Sequence, residues 1–246
     1  MSRTVQAAKM ARRAARCAVA LFGPPGSGKT TIVRSLTVKP SLTVVETGNL
    51  LEREIRLGTD IGKRIRRDKA AGKLVSTELV RTVIQARLER VNTDLVLFDG
   101  FPRHLGQSGV FFDLLSEHQL KLCLVGVLTL KLSTALKRIA GRRVCSECSH
   151  LYNLQTNPPL QAGICDHCGS RLMRRAEDDP ATIRSRFATF RRETLPVIRQ
   201  FKRDYPGQCW EPAESSDSAV LAAEFSRRLN FLRPGQKAAA TRRAGN

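Results

Sequence analysis

The sequence predicts an α/β fold built on a parallel sheet, and three observations carry that reading. Gly23-Pro24-Pro25-Gly26-Ser27-Gly28-Lys29-Thr30 fits G-x-x-x-x-G-K-[ST] between an apolar run and a helix-forming segment. In that arrangement backbone N–H groups cradle phosphate at a helix N-terminus. Leu95-Val96-Leu97-Phe98 is continuously apolar, as expected of a strand buried on both faces. Such runs alternate along the chain with segments of helical periodicity.

Taken in order, Cys17-Ala18-Val19-Ala20-Leu21-Phe22 reads as the first strand, and the helix after the loop runs from about Lys29 to Leu36. The glycines let the loop bend round an anion with no Cβ in the way. Lys29 can reach the outer phosphates, and Thr30 or Thr31 can bring a hydroxyl near Mg²⁺. Lys39-Pro40-Ser41 breaks the helix, and Leu42-Thr43-Val44-Val45 is a β-branched second strand. Thr47-Gly48-Asn49-Leu50-Leu51 leads into a charged helical region through Lys69, punctuated by Ala71-Gly72-Lys73. Ser76-Thr77-Glu78 has the form of a helix start, and Leu79, Val80, Val83, Ile84 and Leu88 follow at the spacing of one helical face. The strand at 95–98 ends on Asp99, at the end of the sheet where open α/β folds bind ligands. An acid there can hold Mg²⁺ or its water shell. Leu122 to Leu128 is a further buried strand, and 131–140 a helix. Residues 142–175 hold four cysteines and little periodicity. A long Arg-rich helix over 180–204, a short strand at Gln208-Cys209-Trp210 and a helix over 217–231 complete the chain.

With 246 residues, 41% hydrophobic and 26% charged, the chain can bury a sizeable core. No apolar run approaches the ~20 residues of a bilayer span, so no membrane association is expected. The net charge of +20 would ordinarily suggest nucleic acid. Much of it is peripheral, however: Arg3, Lys9, Arg12, Arg13 and Arg16 stand in an acid-free start, and Arg233, Lys237, Arg242 and Arg243 in an acid-free tail. The start has the composition of an organelle transit peptide but also of a solvated extension, which is the reading adopted. No long apolar segment precedes a cleavage site, which argues against a secretory signal. The expected location is the cytoplasm.

Cys145-x-x-Cys148 and Cys165-x-x-Cys168, sixteen residues apart, have the spacing of a tetrahedral zinc site. Four protein ligands leave no open position, so the Zn²⁺ is read as structural, stiffening a segment too small for its own core. His150 and His167 lie outside the paired spacing and are expected to face solvent. Metal-ligating cysteines argue for a reducing compartment rather than disulfides. Cys17, Cys123 and Cys209 fall in strand-like runs and are read as core.

The motifs together resemble the adenylate kinases, in the long form with a zinc-bearing lid. The resemblance runs from about Cys17 to Phe231. It is carried by Gly23 to Thr31, Thr47-Gly48-Asn49-Leu50-Leu51, Gly72-Lys73-Leu74-Val75, Asp99-Gly100-Phe101-Pro102-Arg103 with Gln107, Gly141-Arg142-Arg143, the cysteine pairs, and Arg175 through Arg186. It implies reversible phosphoryl transfer from Mg·ATP to AMP, giving two ADP. It also implies a nucleoside monophosphate kinase-like architecture with a five-stranded parallel sheet. The basic extension would be 1–16, the kinase domain 17–232 and the basic tail 233–246. Within the kinase domain the core would be 17–45, 77–141 and 176–232, with an NMP-binding insert at 46–76 and the lid at 142–175.

By position, the resemblance puts Gly23, Pro24, Pro25, Gly26, Ser27, Gly28, Lys29, Thr30, Thr31, Arg138 and Arg142 on ATP. It puts Thr47, Lys73, Leu74, Val75, Gly100, Arg103 and Gln107 on AMP, with Arg175 and Arg186 converging on the transferred group. Lys29, Asp99, Arg103, Arg142, Arg175 and Arg186 would be the catalytic set. Independently of the family, phosphoryl transfer asks for charge stabilisation, in-line positioning and exclusion of water. Arginines spread over a closing protein meet those needs.

Three positions depart from the family. Glu52 stands where an AMP-binding arginine is usual, Asn49 replaces an aspartate and Thr30 a glycine. A carboxylate facing a phosphate predicts a weaker hold on AMP or a shifted acceptor preference. The alternatives are a kinase for another nucleoside monophosphate and, from a different class, a nucleic-acid-binding zinc ribbon with a relic phosphate loop. Aromatics make up only 5% of the chain, too few beside the basic runs for a stacking platform. We expect a monomer that binds ATP, AMP and ADP rather than nucleic acid.

Overall fold

The computed structural model describes residues 16–36, 41–70, 75–213 and 217–232. Lys73, Leu74, the start 1–15 and the tail 233–246 lie outside the described residues.

Five parallel strands form the main sheet: β1 (Arg16–Phe22), β2 (Leu42–Glu46), β3 (Leu95–Asp99), β4 (Leu120–Val127) and β8 (Cys209–Trp210), in the order β2-β3-β1-β4-β8. The register puts Leu21 and Glu46 each opposite Asp99 and Phe22 opposite Val127, so the strands end together on one edge. The phosphate loop leaves β1 at that edge and enters α1 (Lys29–Leu36).

Alternate residues of each strand face opposite ways, which gives the sheet two cores. On one face Val19, Leu21, Leu97 and Trp210 pack on Ile32, Val33 and Leu36 of α1 and on Leu221, Ala222, Phe225 and Leu229 of α9 (Ser218–Phe231). On the other, Ala20, Phe22, Val96 and Phe98 pack on α4 (Thr77–Glu89), α5 (Ser108–Glu117) and α8 (Leu195–Asp204). Phe111 of α5 meets Phe98 and Phe201 edge-on, with ring centres 5.3 and 5.6 Å apart.

The charged region after β2 is a pair of helices, α2 (Thr47–Leu57) and α3 (Asp60–Ala70). Gly58, at φ 66°, closes α2 by donating its N–H to the Ile55 carbonyl. At Gly62 a Cβ would fall 2.0 Å from the Glu54 carbonyl oxygen, so only glycine lets the two helices approach this closely. Ser76 caps α4, accepting from the Leu79 N–H as the helix-start pattern predicts.

After α6 (Leu132–Ala140) the chain forms a separate antiparallel sheet of β5 (Arg142–Cys145), β6 (Leu151–Asn153) and β7 (Leu172–Met173), ordered β6-β5-β7. We call residues 142–175 the ribbon.

The long helix expected over 180–204 is interrupted. α7 (Pro180–Thr189) passes through a π-helical stretch at Phe190–Thr194 before α8. Pro196 has no N–H to give the preceding turn and its ring crowds the carbonyl four residues back, so the helix widens just ahead of it. The widened stretch ends at Thr194, whose hydroxyl donates to the Arg103 carbonyl at 2.9 Å.

Two further expectations are corrected. Arg16, grouped with the basic extension, opens β1 and donates to the carbonyls of Thr93, His118 and Val91 at the far edge of the sheet. Cys17 and Cys123 are not free core thiols: both are half-buried and joined in a disulfide. The β1–β4 register slips between Ala18 and Val19, leaving Cys123 as an extra residue in β4 beside Cys17. Cys209 is free and half-buried. The bridge closes a loop with sequence separation 106. Cys17→Ser is therefore expected to cost about 3 kcal/mol, roughly 6–12 °C in melting temperature. Melts with and without a thiol reductant check this, since reduction should bring the wild type down to the variant.

Candidate active site

The strand ends and the ribbon enclose a cleft of about 1350 Å³. Ordinary single-ligand pockets span roughly 300–1,000 Å³, so this one has room for more than one small molecule.

Its floor is the phosphate loop. Gly26 and Gly28 adopt φ 77° and 95°, conformations that glycine takes without strain and that let the loop turn tightly, with the Ser27 N–H donating to the Pro24 carbonyl at 3.2 Å. Ser27 is buried and its Oγ has no hydrogen-bond partner, as a group awaiting a polar ligand would be. Lys29, at the first position of α1, folds back so that Nζ donates to the carbonyls of Gly23 and Pro24, the latter at 3.2 Å. Burial lowers its pKa to about 8, against the pull of Asp99 and with the push of Arg103 and Arg186. Those three charges and Lys29 thus share one electrostatic field. Burial raises the Asp99 carboxyl, with Lys29 and then Arg103 opposing the rise.

The arginines reach the cleft from several elements, each held by an acid or a carbonyl. Arg103 donates Nε to the Gly100 carbonyl at 3.0 Å, and its backbone N–H donates to Gln107 Oε1 at 2.8 Å. Arg138 on α6 donates to the Gly26 carbonyl at 3.4 Å. Arg142, where the ribbon begins, makes a two-pronged ion pair with Asp178, Nε to Oδ2 at 2.8 Å and Nη2 to Oδ1. Arg175, where the ribbon ends, and Arg186 on α7 share the Glu177 carboxylate at 3.6 and 3.3 Å. Glu177 and Asp178 are organising residues that the motif reading did not single out. The signal was present as Glu177-Asp178-Asp179 following Arg174-Arg175, but acids beside arginines ordinarily mark a solvated face. Folding buries Asp178 to 1% exposure, so its carboxylate is committed to Arg142.

Most of the expected site residues do converge. Gly23, Pro25, Gly26, Ser27, Gly28, Lys29, Thr30 and Thr31 line the cleft, with Asp99, Gly100, Arg103, Arg138, Arg142, Arg175 and Arg186. Pro24, Thr47, Val75 and Gln107 do not. Pro24 supplies a carbonyl to Lys29, and Gln107 is buried and braces the Arg103 backbone. Thr47 is buried with its hydroxyl unpartnered. Gly48 also lines the cleft, and a Cβ on it would stand 4.0 Å from Arg103 Nη2. Glu52 is exposed on α2 and is not part of the cleft lining.

In the ribbon, Cys145, Cys148, Cys165 and Cys168 bring four sulfurs within 4.8 Å of one another. The Cys145–Cys168 and Cys148–Cys165 pairs lie at 3.4 and 3.6 Å. Four thiolates at about 2.3 Å from a central Zn²⁺ would be roughly 3.8 Å apart, so the donor set fits. The Ser170 side chain, then its backbone, hold the Cys168 thiol down to about 6, whereas the His150 backbone lowers Cys148 less than desolvation and the neighbouring thiols together push it up. His150 and His167 are exposed as expected, their rings stacked at 5.8 Å beside the cluster.

Comparison with known proteins agrees with this geometry. The family model described as adenylate kinase matches residues 21–205. An adenylate kinase of Pyrococcus furiosus is 32% identical over 185 residues, covering 75% of this chain and 84% of that protein. One of Thermococcus kodakarensis is 34% identical over 184 residues, covering 75% and 82%. One of Streptomyces griseus is 36% identical over 186 residues, covering 75% and 85%.

Proposed function

This chain belongs to the adenylate kinase family of nucleotide phosphotransferases, and on that premise we propose that it transfers the γ-phosphoryl group of Mg·ATP to AMP, reversibly, giving two ADP. The observation that carries the proposal is the cleft itself. A phosphate loop, Lys29, Asp99 and arginines from the β3 loop, the ribbon and α7 face one space larger than a single nucleotide needs.

In this reading ATP lies along Gly23 to Thr31, with Arg138 and Arg142 on the ribbon side. AMP lies against Gly100 and Arg103, beside Gly48 in the first turn of α2. A phosphate oxygen of AMP attacks the γ-phosphorus in line. The bond to the bridging oxygen breaks, and the electrons leave with the β-phosphate of ADP. No protein nucleophile is needed. Lys29, Arg103, Arg175 and Arg186 stabilise charge on the equatorial oxygens. Mg²⁺ carried with ATP, held by Thr30 or Thr31 and Asp99, would neutralise charge on the β- and γ-oxygens.

The ribbon, stiffened by Zn²⁺ on its four cysteines, is read as a lid. Arg142 and Arg175 stand at its two ends, so its closure carries both toward the phosphates and shuts out water that would hydrolyse ATP.

A coupled assay with ATP and a panel of AMP, CMP, UMP and GMP tests the assignment. AMP is expected to exceed the others at least about a hundredfold in kcat/KM, as a site that hydrogen-bonds its base requires. Failure with all four would overturn it. The acceptor side carries a separate expectation. Because Glu52 stands in solvent, where charges are screened, Glu52→Arg should lower the KM for AMP by no more than about fivefold and leave that for ATP unchanged. Initial rates over an AMP series for both proteins measure this.

A further inference from the structure

Arg34 has no place in the mechanism above, yet it sits where the moving parts meet. It occupies the last turn of α1, the helix that begins at Lys29, and is half-buried on the cleft wall. Its Nη2 donates to the carbonyl of Ser149 in the ribbon at 2.5 Å, across 115 positions of sequence. Ser149 belongs to the first cysteine knuckle. It donates its N–H to the Cys145 carbonyl at 3.1 Å, and Cys145 donates to the His150 carbonyl at 2.9 Å. Ser149 holds φ 59°, a left-handed conformation that a serine adopts only when its surroundings impose it. The knuckle thus presents one fixed carbonyl to one guanidinium.

The charges around that guanidinium act on it from several elements. Burial and then Arg175 act against its positive charge, while Glu46 acts in its favour. Glu46 ends β2, immediately before α2, and is itself held by Asn49 Nδ2 at 2.7 Å. Arg34 reduces the cost of burying that carboxylate near Asp99. A single side chain on the phosphate-loop helix therefore holds the ribbon knuckle by a hydrogen bond and lies in the electrostatic field of the carboxylate that precedes α2.

We infer that Arg34 is a positioning residue that seats the ribbon's first cysteine knuckle over the phosphate-loop helix, coupling ribbon closure to ATP binding. The inference rests on the reading of the ribbon as a lid. It acts through the Ser149 carbonyl rather than through substrate. A charge-assisted hydrogen bond of this kind is worth about tenfold in the equilibrium it biases.

The test uses the full-length, metal-loaded protein and two readouts. In Arg34→Ala, the KM for ATP is expected to rise about tenfold with kcat changed less than about threefold. Amide exchange over residues 145–153, measured with Mg·ATP and no acceptor, should quicken by a similar factor. Metal content and melting temperature should stay those of the wild type. Should Arg34→Ala melt early, Arg34→Lys decides: it keeps the charge but not the planar reach, and should lie between the two on both readouts. Unchanged exchange with a raised KM would mean that Arg34 touches nucleotide directly, and would overturn the inference. Quickened exchange with an unchanged KM, or no change in either, would overturn it equally. The exchange measurement needs no turnover, so an enzyme inactive with every acceptor would defeat the proposed reaction and leave this test standing.

Discussion

Lys29→Met is expected to lower kcat/KM for ATP about a thousandfold while leaving the fold intact, since a preorganised cation aimed at developing phosphate charge supplies a contribution of this order. The fold should survive because, among the described residues, the hydrogen bonds of Nζ go to two carbonyls of its own loop, Gly23 and Pro24, and tie no other element to it. The wild type offers a second, pH-resolved signature of the same residue. Its pKa of about 8 belongs to the enzyme without nucleotide. As pH rises through that value Lys29 becomes neutral and ATP binding must restore the proton. The logarithm of kcat/KM for ATP should therefore fall above pH 8 with a slope tending to −1. Bound phosphate raises the pKa, so kcat should hold to higher pH. Stability moves the other way. Below pH 8 the lysine is charged in both folded and unfolded chains, and the cost of burying it is fully present. Between about 8 and the ordinary 10.5 the unfolded chain binds the extra proton, so stability rises with pH. Rate profiles and melts of the two proteins from pH 6.5 to 10 check both limbs; a Lys29→Met profile that keeps the alkaline fall would assign it to another group.

The sheet and the donor half of the site were legible because each is written in contiguous residues. Leu95 to Phe98 is apolar at every position because both of its faces are covered, and the phosphate loop needs nothing beyond its own eight residues to take shape. What stayed hidden depends on contacts between distant segments. Nothing local marks Asp178 as the partner of Arg142: the two lie 36 positions apart and meet only when the ribbon closes on itself. The Cys17–Cys123 bridge needs a register slip between neighbouring strands, and spacing carries no record of a bulge. α5 lacks a side-chain cap and carries Gly109 in its first turn, so its start has no punctuation although Phe111, Leu114 and Leu115 are buried. Gln107 falls in the motif that the family resemblance marks for AMP, yet its carbonyl oxygen is occupied by the Arg103 N–H. Position in a motif located the residue, and only the fold revealed that it braces an arginine.

Chelating the Zn²⁺ proposed for the cysteine ribbon is expected to unfold residues 142–175 and leave the rest of the molecule standing. The ribbon's own buried cluster is Cys145, Tyr152, Cys165 and Leu172, with two of the four being metal-site cysteines. Four side chains cannot offset the conformational entropy of a segment of this length, at about 1–2 kcal/mol per residue for the backbone alone. A tetrathiolate site supplies folding free energy on the order of 10 kcal/mol, enough to decide the matter. Tyr152 would not rescue it, since its hydroxyl accepts from the Asp166 N–H and contacts Cys165 Sγ, so its hydrogen bonds are part of the same cluster. The main sheet has independent cores on both faces, so calorimetry of chelated protein should show its transition nearly unmoved. Amide exchange should become fast across 142–175 alone. Activity should fall at least about a hundredfold, because Arg142 and Arg175 lose their fixed geometry together and the cleft stays open to water. Cys148→Ser, which removes an exposed ligand without touching the ribbon's buried residues, should reproduce the effect in part. Wild-type exchange and turnover after complete metal removal would show that the ribbon folds on its own contacts, and the four cysteines would then need another explanation.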